Sequence, residues 1–144
     1  MGKHRYFELN EFIVSSTAKK KNISNVPTFE VVAHLDELVE KILDPLRAAY
    51  GMPITVTSGY RCPELNRAVG GVTNSAHLYG WAADLVVGGS LDRFKYFIVE
   101  WLRATGARFD QLLLESDRKG NKWVHIGLYN ALGQQRGQIK VIDL

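Results

Sequence analysis

The feature that most constrains the fold is a run of apolar residues spaced three or four positions apart in the first third of the chain. The run consists of Val31, Leu35, Leu38, Ile42 and Leu46. This spacing places their side chains on one face of a helix. Thr28 is a typical N-cap at its start, and Gly51 is a typical residue after its end. The pattern therefore predicts one long amphipathic helix whose apolar face packs against the rest of the protein.

Shorter patterns predict the remaining elements. Ser90 caps a second long helix that ends at Gly106, short helices are predicted over 9–18 and 63–69, and 74–79 has loop character. The predicted strands span 53–57, 82–87, 110–115, 123–128 and, at an edge, 138–142. Because helices come first and antiparallel strands dominate later, we predict an α+β fold with a small, mostly antiparallel sheet and flanking helices.

The composition is that of an ordinary soluble globular protein. Hydrophobic residues make up 46% of the chain and charged residues 23%. A length of 144 residues suffices for one domain with its own core, so we predict a single domain over 1–144. No apolar run approaches the ~20 residues that span a membrane, and the N-terminus lacks the apolar core of a signal peptide. We therefore expect synthesis in the cytoplasm and no membrane partner.

Charge and cysteine content narrow the classes of function. The net charge of +3 and the pI near 9.0 are compatible with an acidic partner such as nucleic acid or an anionic bacterial wall. No nucleic-acid-binding motif is visible, and the lysine triplet at 19–21 is more typical of a solvated face. The single cysteine, Cys62, excludes an internal disulfide, and we expect it to be structural. His34, beside the apolar stripe of the long helix, is also expected to be structural.

A carboxylate in the middle of an apolar strand is the strongest chemical signal in the chain. If it is buried within 82–87, Asp84 needs an ion pair, a hydrogen bond or a metal. His125 has a similar position in the strand over 123–128, and His77 precedes Asp84 in the chain. Two imidazoles and one carboxylate suit a zinc ion whose fourth position stays open. Taken singly, Asp84 could cap a turn and His125 could be a hydrogen-bonded core residue; taken together, they favour a metal site.

The motifs around these residues resemble those of a known family. They read Ser75-x-His77-x-x-Gly80-x-Ala82-x-Asp84, followed by Trp123-x-His125. The chain is similar in this respect to the zinc D-alanyl-D-alanine carboxypeptidase family. That family includes phage endolysins that cleave L-alanyl-D-glutamate bonds, and it shares its fold with the Hedgehog signalling domain. Segments 43–47, 56–61, 65–71 and 109–112 resemble its compact phage and bacterial branch, so the resemblance covers roughly residues 6–128.

The resemblance implies a role for each matching residue. His77, Asp84 and His125 match the family's three zinc ligands. Arg61 matches an arginine near the scissile carbonyl or the substrate carboxylate, to which its fixed fork of donors is suited. Ser75 matches a serine that positions the substrate. Considered without the resemblance, Arg61 could form a surface salt bridge and Ser75 could cap a turn.

The chain departs from the family pattern at the position of the general base. Many relatives carry an acidic residue three positions before the last histidine, where this chain has Lys122. The compact branch has a glutamate after its Asp-Gln-Leu strand, and Glu115 occupies that place. If the hairpin pairs Glu115 with Asn121 or Trp123, its side chain lies on the same sheet face as the last histidine. Alternatively, Glu115 flanks an exposed turn and pairs with a lysine, and Asp110 is then the reserve candidate for the base.

The resulting hypothesis is a zinc metallopeptidase that hydrolyses a peptide bond in bacterial peptidoglycan stem peptides through a metal-activated water. Glu115 would act as the base, and Arg61 would stabilise the oxyanion. The bond could be D-Ala-D-Ala, L-Ala-D-Glu or a cross-link. The alternative is a non-catalytic, zinc-stabilised module that binds the cell wall, which Lys122 at the usual acidic position supports. We expect the protein to be a monomer and to have no nucleic-acid partner. We also expect it to reach the wall by a phage-type release route.

Overall fold

The computed structural model describes the backbone of residues 1–143 and the side chains of residues 1–141. The helices are α1 (Leu9–Ile13), α2 (Ser16–Lys20), α3 (Phe29–Leu38), α4 (Asp44–Tyr50), α5 (Pro63–Ala68) and α6 (Leu91–Thr105). A π-helical segment (Val39–Leu43) joins α3 to α4, and a 3₁₀ helix spans Ala76–Tyr79. The strands are β1 (Thr55–Ser58), β2 (Ala82–Val86), β3 (Gln111–Ser116), β4 (Lys122–Gly127) and β5 (Gln138–Asp143). The predicted domain extends to Leu144, which lies outside the described residues.

The predicted long helix is confirmed, with one interruption. Thr28 caps it by accepting a hydrogen bond from the backbone N–H of Val31 at 3.2 Å, and Gly51 ends it in the left-handed conformation with φ 76°. The interruption is the π-helical segment, which lies just before Pro45. Proline has no N–H, and in a regular α-helix its ring would clash with the carbonyl four residues earlier. The wider π turn relieves this clash, while the apolar face on both sides stays buried.

The N-terminal helical segment differs from its prediction, whereas α5 and α6 lie where they were expected. Instead of one helix over 9–18, two helices form, because Val14 and Ser15 have extended backbone conformations. Ser15 starts α2, since its hydroxyl accepts a hydrogen bond from the N–H of Ala18 at 3.2 Å. A capping serine thus overrides the apolar pattern that runs through it. Within residues 1–143, no helix has the length and apolar character needed to cross a lipid bilayer.

The strands that the structure describes form a five-stranded sheet in the order β1-β2-β4-β3-β5. Neighbouring strands are antiparallel, except that β5 pairs with β3 in a parallel direction. The edge strand predicted over 138–142 is therefore confirmed as β5. Helices that flank a mostly antiparallel sheet confirm the predicted α+β fold.

The two faces of the sheet have different surroundings. One face carries apolar side chains that form the core together with α3, α4 and α6. These side chains belong to Ala83, Leu85, Leu112, Leu114, Val124 and Ile126. Residues alternate between the faces along a strand, so Asp84, Leu113 and His125 point to the other face. The register aligns Asp84 with His125 and His125 with Leu113, which places these residues in one row across β2, β4 and β3.

Candidate metal centre and active site

Three potential metal ligands converge on the sheet face that does not pack against the core helices. His77 comes from the 3₁₀ helix, Asp84 from β2 and His125 from β4, and all three residues are buried. Asp84 Oδ1 lies 3.2 Å from His77 Nε2 and 3.0 Å from His125 Nδ1. The ligand atoms of the three residues all lie within 4.8 Å of one another. The structure therefore brings together the three residues that the sequence singled out, in a spacing that could hold one metal ion.

The turn that leads into β2 places His77 and Asp84 side by side. In this stretch, predicted as a loop, Ser75 caps the 3₁₀ helix by accepting a hydrogen bond from the N–H of His77 at 3.2 Å. Gly80 ends it with φ 75°, a conformation that other residues rarely adopt. A Cβ at Gly80 would also lie only 2.9 Å from the carbonyl oxygen of Val31. The chain can therefore turn directly from the first imidazole into the strand that carries the carboxylate.

A backbone carbonyl fixes the orientation of His77. His77 Nδ1 lies 2.7 Å from the carbonyl oxygen of Gly59. Because a carbonyl oxygen only accepts hydrogen bonds, Nδ1 carries a proton, and Nε2 is the nitrogen that faces Asp84 and is available to a metal. Sequence reasoning missed this partner, since a backbone group carries no residue-type signal.

The electrostatic surroundings of Asp84 favour the ionised form of its carboxylate. Burial alone would raise the pKa of Asp84, but the charge of His77 and the hydrogen bonds from both imidazoles hold it well below its ordinary value. Burial would lower the pKa of His125, but the hydrogen bond and charge of Asp84, with the charge of Glu115, raise it. Asp84 is thus an anion at neutral pH, the form in which a carboxylate binds a metal.

Arg61 lies beside the three ligands, and no carboxylate in the described part of the chain forms an ion pair with it. Burial lowers the pKa of its guanidinium, whereas the negative charges of Asp84 and Glu115 favour the charged form. Its Nη2 donates to Ser75 Oγ at 3.3 Å, and its buried Nε has no hydrogen-bond partner among the described residues. Arg61 therefore does not form the surface salt bridge considered as an alternative. Ser75 does act as a cap, and it also holds this guanidinium.

Glu115 lies on the same face as the ligands, and Lys122 does not. The hairpin register pairs Glu115 with Trp123, one of the two pairings considered. Glu115 Oε1 lies 3.9 Å from His125 Nδ1, and the Glu115 side chain is only 15% exposed. Lys122 is exposed at the start of β4 and alternates to the opposite face from His125. The carboxylate that approaches the candidate metal centre is therefore Glu115, and it does not pair with a lysine among the described residues.

The reserve candidate for the base, Asp110, is occupied elsewhere. Its side chain is 2% exposed and accepts hydrogen bonds from Arg136 Nε and Nη2, each at 2.8 Å. The backbone N–H of Arg136 adds a third hydrogen bond at 3.1 Å. This ion pair connects the start of β3 to the loop before β5. Asp110 is therefore a structural anion and does not join the three ligands.

Breaking this ion pair is expected to destabilise the fold. The Arg136→Ala variant should lose about 3 kcal/mol of unfolding free energy, because a buried carboxylate is left without its counter-charge. Denaturant unfolding measures the change. The matched control is Arg103→Ala, which removes an exposed pair with Glu100 and should cost at most about 1 kcal/mol. Equal losses in both variants would show that Asp110 does not depend on Arg136.

The two histidines outside the candidate metal centre and the single cysteine have structural roles. His4 Nε2 lies 2.6 Å from a carboxylate oxygen of Asp36. His34 Nδ1 lies 2.6 Å from the carbonyl oxygen of Tyr79, and the ring of His34 stacks on Trp81 at 3.8 Å. Cys62 caps α5, since its sulfur accepts a hydrogen bond from the N–H of Leu65 at 3.4 Å. The expectation that His34 and Cys62 are structural is therefore confirmed.

Two imidazoles and a carboxylate on a sheet face, with a glutamate beside them, are typical of a metal-dependent hydrolase. A family model described as peptidase M15 matches residues 5–127, so the chain belongs to the peptidase M15 family. Its membership confirms the family suspected from the motifs. Together with the candidate metal centre, this membership indicates a metallopeptidase.

A curated relative gives a second, shorter match. The chain is 51% identical over 47 residues to the zinc D-Ala-D-Ala carboxypeptidase of Streptomyces albus G. The match covers 32% of this chain and 18% of that relative, so it spans less than one fifth of the relative's length.

Proposed function

We propose that this protein is a zinc peptidase that hydrolyses a peptide bond in the stem peptides of bacterial peptidoglycan. The observation that carries the proposal is the convergence of His77, Asp84 and His125, with the Glu115 carboxylate 3.9 Å from His125. Membership of the peptidase M15 family supports the reaction class. The name of the Streptomyces albus G relative supports both zinc and a D-alanyl peptide substrate. We further propose that the chain acts as a single catalytic domain and as a monomer.

The donor set fits zinc. His77 and His125 supply nitrogen ligands and Asp84 supplies an oxygen ligand, which is a common combination in catalytic zinc sites. All three groups are buried, and the proton on His77 Nδ1 is held by the Gly59 carbonyl, away from the site. When bound, zinc would lower the pKa of a coordinated water to about 7 and polarise the scissile carbonyl.

The side chains around the metal position supply the proton transfer and the charge stabilisation. We assign Glu115 as the general base, which takes the proton of the attacking water and delivers it to the leaving amine. Arg61 is assigned to the oxyanion or to a substrate carboxylate, because its buried Nε has no hydrogen-bond partner among the described residues. Ser75 holds the Arg61 guanidinium and positions it for substrate. No covalent intermediate is needed in this mechanism, so Cys62 has no role as a nucleophile, and its sulfur caps α5.

Purified peptidoglycan provides the direct test. We expect incubation with the protein to release new free amines, to stop when a chelator is added, and to resume when zinc is restored. Mass spectrometry of the products identifies which bond is cleaved. Tight binding to the wall without new amines would instead support the non-catalytic module and reject the proposed peptidase.

The role of Arg61 can be tested by Arg61→Lys. The charge survives in this variant but the planar fork is lost, so kcat/KM should fall on the order of tenfold or more while the melting temperature stays near that of the parent. Arg67→Lys, at an exposed position on α5, is the control and should retain parental activity. Parental turnover of wall peptides by Arg61→Lys would remove Arg61 from the site.

A further inference from the structure

We propose that Trp123 is a positioning residue for the general base, holding the Glu115 carboxylate toward the metal site through its indole N–H. The inference rests on the proposed function, because it concerns the residue assigned there as the base. Trp123 Nε1 donates a hydrogen bond to Glu115 Oε1 at 3.0 Å. The two residues are directly paired across β3 and β4, so their side chains leave the sheet on the same face.

The geometry of this hydrogen bond fixes the base without occupying it fully. The oxygen that Trp123 holds, Oε1, is the one that lies 3.9 Å from His125 Nδ1. An ionised carboxylate has two oxygens with about four lone-pair sites, so one hydrogen bond from the indole leaves the group able to accept a proton. A glutamate side chain is flexible, and a base that is already oriented does not have to be ordered during the reaction. The indole thus converts a mobile carboxylate into one with a defined position beside the ligands.

The chemistry of an indole suits this task better than that of a cation. Its N–H is only a donor, so it cannot compete with Glu115 for the proton of the water. It is also neutral, so it orients the carboxylate without forming an ion pair with it. Lys122, the neighbour of Trp123 in the sequence, could neutralise Glu115 if it shared its face, but it alternates to the opposite one. The strand register therefore brings the neutral donor to the base and keeps the charged donor away.

The first test replaces the donor and keeps an aromatic ring. We expect Trp123→Phe to retain zinc and a near-parental melting temperature and KM, while kcat falls about tenfold, the size expected for a lost hydrogen bond to a charged group. Trp101→Phe is the matched control, since Trp101 lies on α6 away from the site, and it should retain the parental kcat. An active, chelator-sensitive parent with an equally active Trp123→Phe variant would overturn the role of Trp123 and leave the proposed function intact.

The second test asks whether Trp123 acts through Glu115. In a Glu115→Gln background, adding Trp123→Phe should cause no further loss of kcat, because the base that Trp123 positions is already gone. If Trp123→Phe lowers kcat by the same factor in both backgrounds, Trp123 acts independently and the inference is wrong. A parent that releases no amines at all would reject the proposed function, and the positioning role with it.

The third test does not depend on activity. The chain has three tryptophans, so three indole N–H signals are expected in a nitrogen-15 NMR spectrum, and the one lost in Trp123→Phe is that of Trp123. This signal should shift in Glu115→Gln, with or without added zinc, because its acceptor changes from a carboxylate to an amide. The signal of Trp101 should stay in place. An unchanged Trp123 signal would show that the hydrogen bond is absent and would overturn the inference.

Discussion

The His77→Ala and His125→Ala variants are expected to lose zinc, whereas the parent should bind about one equivalent per chain. Each substitution leaves two of the three donors that converge in the structure, and two donors hold zinc far more weakly than three. Chelator-sensitive activity should fall on the order of 10³-fold or more, because the metal supplies several kcal/mol of transition-state stabilisation. Elemental analysis after dialysis measures the zinc content.

A histidine outside the site separates loss of a ligand from general damage. His4→Ala removes a hydrogen bond to Asp36 but no donor of the metal centre, so it should keep its zinc. Undiminished zinc in both His77→Ala and His125→Ala would reject the ligand assignment. Loss of zinc from all three variants would point to global destabilisation instead.

The second large effect is expected for Glu115→Gln. Glutamine keeps the length of the side chain, and its carbonyl oxygen can still accept the Trp123 hydrogen bond, but it cannot carry a proton. The variant should keep its zinc and its melting temperature, while kcat falls about 10²–10⁴-fold. Steady-state release of free amines from peptidoglycan, together with the metal content, measures both quantities.

Lys122→Glu is the natural control for that variant. It introduces a carboxylate at the sequence position where many relatives carry their base, but this position alternates away from His125. We therefore expect little change in activity. Full activity of Glu115→Gln would reject Glu115 as the base, and Asp110 could not replace it while it is paired with Arg136. A rise in activity of Lys122→Glu would mean that the hairpin register differs from the observed one.

The parts of the fold that follow from local patterns were predictable. The apolar repeat from Val31 to Leu46 predicted the long helix, because a helix that buries one face carries apolar residues three or four positions apart. The position of Glu115 was predictable for a similar reason. A turn of odd length between β3 and β4 places Glu115 opposite Trp123 and thereby on the face of His125.

The sequence did not predict interactions between groups that belong to no repeating sequence pattern. The ion pair of Asp110 with Arg136 links residues far apart in the chain, and no periodicity connects them. The break between α1 and α2 depends on one capping hydroxyl, that of Ser15. The indole hydrogen bond to Glu115 depends on a side-chain conformation, which strand alternation restricts to a face but does not determine.

The carbonyl that holds His77 has a consequence for how the site tolerates mutation. A main-chain oxygen is present whichever residue occupies position 59, so substitution of a neighbouring side chain does not remove the acceptor itself. Position 59 is nevertheless restricted, because a Cβ there would lie 2.6 Å from the carbonyl oxygen of Phe12. That oxygen already accepts a hydrogen bond from the N–H of Tyr60 at 2.7 Å. This hydrogen bond connects the end of α1 to the residues that follow β1. As long as Gly59 is kept, the surrounding side chains can therefore change during evolution without altering which nitrogen of His77 holds the proton bonded to this carbonyl.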